Sequence, residues 1–534
     1  MATRVITLAT ACAVVLADVG AAQSSKDTAT SRGSAAVVSS IQIRRENVFD
    51  KSEETAMRLA RVANRLHVLT REHVVQRELL IRQGQPFDSA TAAETARNLR
   101  KLDIFRQVAV DSATTDSGLV EQVTTRDAWT TILYLTFKSS ADQVVWGVGL
   151  TEKNLLGRQI RTTVRYTKDP DRSTLQLSAS LPRIVRNRVG MDGSFDQLSD
   201  GKRARFTVSA PFVSQSTRQM MSFDAQYKDA DVLRFFEGEE EASDTVRQLM
   251  SSATLSGGWA TRASTHGYVR LGGGILVRRE DFLQEAAANV DRSFFGELGL
   301  IAEASRSNLA VVRDYRSIAV AEDVDLSRTV RVGVYVAPSA WGYERNGLGP
   351  MLSVLAGKTF SKGFAFTQIR ASSLFTSAGL DSGSATVGAV LALQPAPRHS
   401  AVLNASLGWQ KNPYPGEEFD LGLTFGPRGF PAHAFTGDRA FFTTAEYRWV
   451  VSPSVFSLFA LGVAAFADYG GAWYNGSPRR TGTDVGGGLR LGPTRTGAPK
   501  GATRIDLAYR FANDVLPGKW VIAIGTGLPF ERQK

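Results

Sequence analysis

Cysteine is almost missing from this chain: one residue of 534, Cys12, carries a thiol. That excludes an internal disulfide, and it removes thiol nucleophiles and cysteine-bound metals from everything after residue 12. Histidine is scarce too. His67, His73, His266, His399 and His433 lie far apart in the sequence, and none has the spacing of a metal-ligand set. No nucleophile elbow or phosphate loop occurs, and Gly486-Gly487-Gly488 sits in a strand pattern, where glycine eases sheet curvature. Asp323-Val324-Asp325 offers two carboxylates without the rest of a calcium loop. The expectation is a protein that is not an enzyme and takes no cofactor or metal. Long apolar runs are missing as well. Leu458 to Ala467, the longest beyond the leader, is too short for a membrane-crossing helix, so any membrane location must be reached with strands.

Residues 1–22 hold Arg4, an apolar run from Val5 to Ala17 and the small residues Gly20-Ala21-Ala22, the pattern of a secretory signal peptide. Residues 23–36 are mostly Ser, Thr, Ala and Lys, with nothing to bury, and read as a disordered linker. The formal charge of +11 raises the question of nucleic acid. The arginines are scattered at alternating positions instead of forming a stripe, so no nucleic-acid partner is expected. A wet lumen, or a rim facing anionic lipid, accounts for the same composition.

Residues 37–129 form a small α+β unit. Val38 to Ile43 has strand character, and Ser52 to Arg65 carries apolar residues at helical spacing. The spacing predicts a second helix from Glu72 to Gln83, ended by Gly84-Gln85-Pro86. A third, capped by Ser89 or Thr91 with Glu94 completing a capping box, runs through Leu99 and Leu102. Strands Phe105 to Asp111 and Leu119 to Thr124 follow.

From residue 130 to 534 the pattern is period-two alternation punctuated by Gly, Asp, Asn and Pro, as in Thr329-Val330-Arg331-Val332-Gly333-Val334-Tyr335-Val336. Alternation sustained over roughly 400 residues with no helix means one antiparallel sheet, and a sheet that long must close to hide its edges. The aromatic pairs Trp341 and Tyr343, Tyr447 and Trp449, and Trp473 and Tyr474 suit an interfacial girdle. The fold class is therefore mainly β: a transmembrane antiparallel β-barrel preceded by one small α+β domain. The count of alternating segments is about eighteen to twenty, with the excess before Gly426.

Within the barrel, Gly426-Pro427-Arg428-Gly429-Phe430 puts an arginine at a glycine-flexed loop tip, and Glu446 and Asp468 follow on strand-like segments. A guanidinium on such a loop is held where planar acceptors face it. Spacing alone leaves open an ordinary surface arginine.

The chain resembles the POTRA-plus-barrel superfamily of outer-membrane assembly and secretion proteins, the BamA and TamA type or bacterial surface antigen family. The small domain carries the likeness in Asn64-Arg65-Leu66-His67, Arg77-Glu78-Leu79-Leu80 with Gly84, Glu94 with Arg97 to Arg100, and Thr125 to Trp129. The barrel carries it in Gly149 to Gly157, the loop tip and the two carboxylates. The resemblance implies sixteen strands. It also implies a loop folded back into the lumen, with Arg428, Gly429 and Phe430 at its tip and Glu446 and Asp468 as acceptors. Only one POTRA-like unit fits between Val37 and Asp127, where assembly-machine members usually carry several.

The implied role is insertion, assembly or translocation of polypeptides by a single monomeric barrel in the outer-membrane lipid bilayer of a Gram-negative-type cell. Its POTRA-like domain would lie in the periplasm, binding unfolded polypeptide clients and a periplasmic or inner-membrane partner. A lateral seam is expected between Val144 to Lys153 and Trp520 to Phe530, where Gly147, Gly149, Gly525 and Gly527 reduce side-chain packing. The alternatives are a channel or transporter for small molecules or lipids, and a surface-antigen scaffold.

Overall fold

The computed structural model describes residues 37–526 apart from 57, 117, 141–142, 186–188, 213–216, 237, 240, 284–292, 424, 457, 495–500 and 515. The leader, the linker and Gly527 lie outside the described residues. The small domain runs β1 (Val38–Glu46), α1 (Lys51–Ala56), α2 (Arg58–Leu66), α3 (Glu72–Gln76), α4 (Ser89–Lys101), β2 (Phe105–Thr115) and β3 (Gly118–Asp127). Strand β3 is central, parallel to β1 and antiparallel to β2. Val74, Val75 and Leu99 of the helices, Ile104 of the link into β2, and Phe105 and Val123 of the sheet form its buried core.

Two local expectations change. The helix from Glu72 ends at Gln76, and the Leu80 amide donates to the Thr95 hydroxyl of α4 at 3.3 Å, so a tertiary partner replaces the next helical turn. The α4 cap is Asp88, whose carboxylate accepts from the amides of Ala90 and Thr91. An anion at the positive helix end is a better cap than either hydroxyl.

The wall begins with β4 (Thr131–Ser140), β5 (Gln143–Leu155), β6 (Ile160–Lys168), β7 (Ser173–Val185), β8 (Val189–Leu198) and β9 (Gly201–Ala210). It continues with β10 (Gln219–Arg234), β11 (Asp244–Ser264), β12 (Gly267–Leu283) and β13 (Ser293–Arg306). A small hairpin, β14 (Leu309–Arg313) and β15 (Ala321–Asp325), precedes β16 (Arg328–Ala337), β17 (Gly347–Phe360), β18 (Gly363–Thr376), β19 (Gly379–Leu393) and β20 (His399–Lys411). A second, β21 (Phe419–Leu421) and β22 (Phe435–Gly437), precedes β23 (Arg439–Val455), β24 (Phe459–Trp473), β25 (Gly482–Pro493), β26 (Thr503–Arg510) and β27 (Lys519–Thr526).

Every strand from β4 onward except those of the two hairpins joins one closed, twenty-stranded antiparallel barrel, with β27 beside β4. This is the upper end of the count from alternation, and it corrects the sixteen implied by resemblance. Strands β9 to β12, before Gly426, pair with wall neighbours on both sides and so belong to the wall.

Side-chain polarity is inverted relative to a water-soluble sheet protein. Leu133 and Leu135 of β4 are 62% and 73% exposed on the outside, and Val144, Trp146, Val148 and Leu150 of β5 are exposed likewise. Tyr447 and Trp449 face outward from β23, with the His399 ring stacked on Trp449 at 6.0 Å. Tyr343 departs from the girdle pattern: its hydroxyl donates to Glu297.

The small domain is bonded to the turn between β5 and β6, which defines the proximal end of the barrel. The Arg71 backbone amide donates to the Gly157 carbonyl at 2.9 Å, and the Asn154 side-chain amide Nδ2 donates to the Thr70 hydroxyl at 2.8 Å. Asp127, fully buried, accepts from the Thr70 amide and hydroxyl and pairs with His67, each at 2.8 Å. Gly157 sits at φ +69°, and a Cβ there would lie 2.6 Å from the Leu69 carbonyl oxygen. Only glycine permits this approach.

The expected seam is also corrected. Strand β5 pairs along its length with β4 and β6, so Gly147 and Gly149 belong to the second wall strand. Gly149 lies between Tyr134 of β4 and Arg165 of β6. A Cβ at Gly149 would come within 3.0 Å of the Arg165 side chain, which reaches across to the Tyr134 ring at 4.6 Å. Gly149 thus clears the inner wall for the Arg165 side chain, while a Cβ at Gly147 would lie 2.8 Å from the Tyr166 carbonyl oxygen. Gly525 does lie on the closing strand β27, opposite Arg504. The first wall strand is β4, whose Thr131-Ile132-Leu133-Tyr134-Leu135 follows the small domain without a turn signal to mark it.

Candidate functional site

The distal loop, residues 412–438, turns into the lumen and carries its own apolar core with it. Leu421, Phe430, Ala434 and Phe435 are buried against Ala440 and Phe442 of β23 and Ala472 of β24. Glycines on both sides let this core seat. On the wall, a Cβ at Gly482 would lie 2.1 Å from the Phe430 ring, and on the loop's own β22, one at Gly437 would lie 2.1 Å from the Trp473 backbone. Phe430 is fully buried.

This seating delivers Arg428 to the inner wall, where its side chain is 3% exposed. Nε donates to Asp468 Oδ2 at 2.8 Å, and Nη2 donates to Asp468 Oδ1 and to the Thr444 hydroxyl, both at 3.2 Å. Nη1 donates to Glu446 at 2.8 Å and to Asp506 at 3.3 Å. All five guanidinium N–H donors thus have an acceptor. The Phe466 ring covers the guanidinium face at 3.6 Å. The Gly429 amide donates to Asp484 at 3.0 Å, and Arg510 donates to the Gly429 carbonyl at 3.2 Å. A Cβ at Gly429 would stand about 3 Å from both residues, at 3.0 Å from Asp484 and 3.1 Å from Arg510.

The structure therefore brings Arg428, Gly429, Phe430, Glu446 and Asp468 into one site, and it adds residues that the sequence reading missed. Asp506 and Asp484 are further acceptors. Arg448 and Arg490 both donate to Glu446 Oε1, at 2.6 Å and 3.1 Å, and Arg490 also donates to Asp506. The signal was parity. Residues 444, 446 and 448 on β23, 484 and 490 on β25, and 506 and 510 on β26 are polar and even-numbered along their strands, which puts each set on one face of its strand, the inner one. Gly488 belongs to this arrangement, because a Cβ there would lie 2.3 Å from Asp506 Oδ1.

A second bolt sits near the distal rim. His433 of the loop stacks on Phe235 at 3.4 Å, with the rings 2° from parallel. Its Nδ1 faces Asp420 at 2.7 Å, and its Nε2 faces Asp171 of the β6–β7 loop at 3.0 Å. Burial alone pulls its pKa down, but hydrogen bonds to Asp171 and Asp420 outweigh burial and raise it to about 9. A folded-state pKa raised from 6.5 to about 9 stabilises fully below about 6.5 and ceases to do so as pH rises through about 9. Loop docking is thus expected to weaken by about 3 kcal/mol between pH 6.5 and 10. Protease cleavage within residues 412–438 as a function of pH reads this out, and His433→Ala should flatten the profile.

No protein-family model matches the chain, and no curated protein matches it. Among solved structures it is similar to CdiB from Escherichia coli at 11% identity, covering 95% of this chain and 93% of that one with a TM-score of 0.47. CdiB from Acinetobacter baumannii is similar at 12% identity, with 91% and 73% covered and a TM-score of 0.44. BamA from Haemophilus ducreyi lacking POTRA domains 1–3 is similar at 11% identity, with 91% and 84% covered and a TM-score of 0.38.

Proposed function

We propose that this chain is an outer-membrane barrel that assembles, inserts or translocates polypeptides, with its small domain in the periplasm. The observation that carries the reading is a lumen occupied by the protein's own loop, held by the buried Arg428 site. An open pore needs no such plug, whereas a conduit that opens only for a client does. The apolar exterior supports a lipid setting. In the small domain β1 and β2 are edge strands, each able to take an extended client segment by β-augmentation. The barrel closes between β27 and β4, and that junction is where a client strand would add.

The lipid setting is tested by Leu135→Arg on the outer face of β4. A cation facing the bilayer midplane costs about 2–4 kcal/mol. The variant is expected to insert poorly into lipid vesicles, while Thr136→Arg, facing the lumen, inserts normally. Equal insertion of the two would sink the lipid setting.

The rival channel reading also has an observation in its favour. The inward residues of β6 and β9 are mostly half-buried or exposed, unlike the alternating buried residues of β23 and β24, so one sector of the lumen remains wet. Conductance in planar bilayers separates the two. A closed barrel that gates when unfolded outer-membrane protein is added supports polypeptide handling, and a steady pore indifferent to client supports a channel.

A further inference from the structure

A second hairpin fills the lumen from the opposite end. The β14–β15 insertion lies between β13 and β16 on the proximal side, and its apex, residues 314–320, reaches into the barrel. Ile318 is 1% exposed, packed with Val450, Ala460 and Ala502. Gly492 makes its seat, since a Cβ there would lie 2.6 Å from Ile318 Cγ1. Tyr315 packs edge-on against Phe364 at 5.1 Å. Glu322 accepts from the amides of Tyr315, Arg316 and Ser317, which makes the apex a preformed unit.

Two further contacts leave the hairpin in opposite directions. Toward the small domain, Asp323 of β15 accepts from Arg100 of α4, with Nε at 3.0 Å and Nη2 at 3.4 Å. Toward the distal loop, the Tyr315 carbonyl accepts from Arg448. Arg448 also donates to Glu446 Oε1, and Glu446 Oε2 accepts from Arg428. One carboxylate, Glu446, is therefore shared by the networks of two loops that enter from opposite ends.

We propose that the β14–β15 hairpin is a proximal gate that couples the small domain to the distal latch through Arg448 and Glu446. A two-stranded hairpin with five residues per strand is not stable alone, so its order depends on its seat and it can leave as a unit. Withdrawal takes the Tyr315 carbonyl from Arg448, leaves a buried donor short of an acceptor, and redistributes Arg448 on the carboxylate that holds Arg428. A client that moves α4 breaks the Arg100–Asp323 pair and favours withdrawal. The proposal rests on the reading of the chain as a membrane barrel.

Full-length protein in planar bilayers tests it, with conductance and protease cleavage of the 412–438 loop measured in parallel. The Arg100–Asp323 pair is partly exposed, with side chains 35% and 22% accessible, and is worth at most about 1 kcal/mol. Arg100→Asp and Asp323→Arg are each expected to raise open probability and distal-loop cleavage about two- to fivefold. The double reversal should restore both. Ile318→Cys with Gly492→Cys, oxidised, should abolish opening until reduced. Reversals without effect, a double reversal that fails to restore, or conductance that rises while distal cleavage stays constant each overturn the coupling. Failure of the wild-type chain to insert into bilayers would instead overturn the membrane reading itself.

Discussion

Arg428→Ala is expected to release the distal loop from the lumen while the barrel wall remains assembled. In the native site Asp468 receives three hydrogen bonds from Arg428 and one from Thr444, and alanine removes both guanidinium bonds. Asp468 is 1% exposed, so its charge would be left without a cation in a desolvated setting. Breaking one side of such a pair costs about 3–5 kcal/mol. Water entry behind an undocked loop relieves that cost, which makes undocking the expected outcome. Glu446 keeps Arg448 and Arg490, so the wall network survives. Arg428→Lys should recover little, because a point charge cannot reach Asp468, Glu446, Asp506 and Thr444 in the planar fan that the guanidinium spans. The measurements are protease sensitivity of residues 412–438, conductance, and heat-modifiable migration of the folded barrel. Native protection of the loop in Arg428→Ala would show that the cluster is not its anchor.

Phe430→Ala is expected to undock the same loop by a different force. The ring is fully buried among Leu421, Ala434, Phe435, Ala440, Phe442 and Ala472, and its loss leaves a cavity costing about 3–5 kcal/mol. Gly482→Ala should reproduce the effect from the wall side, since its Cβ would fall 2.1 Å from the ring. The two changes must not add. With the ring already gone, a methyl at position 482 enters empty space, so the double variant should be no worse than Phe430→Ala, and a double-mutant cycle on loop protection reports it. Additive losses would mean that Phe430 and Gly482 act through separate contacts.

Arg428 stood out because glycine and proline fix a tip around it, and the barrel because period-two alternation has one meaning when no helix interrupts it. Glu446 and Asp468 followed from strand parity combined with resemblance. Asp506, Arg448 and Arg490 did not, although they obey the same parity, because a local pattern says which face a residue occupies and not which strands the loop tip will reach. Gly147 and Gly149 were misassigned for a related reason. A glycine pair looks alike whether it weakens an edge or lets an inner strand pack closely against its neighbours, as Gly149 does against Arg165 and Gly147 against Tyr166 and Thr167, and only the position of β4 separates the two. The β14–β15 hairpin alternates as its neighbours do, and only its pairing sets it apart from the wall.

Local chemistry by itself determined the small leading domain, the closed sheet and the arginine at the inward tip, because turn residues, side-chain alternation and charge spacing act over a few residues. Tertiary structure alone decided that two hairpins fill the lumen from opposite ends and meet on Glu446. That meeting depends on register between strands far apart in sequence, and an offset of one residue in the pairing of β23 with its neighbours would turn the carboxylate from the lumen to the outer face.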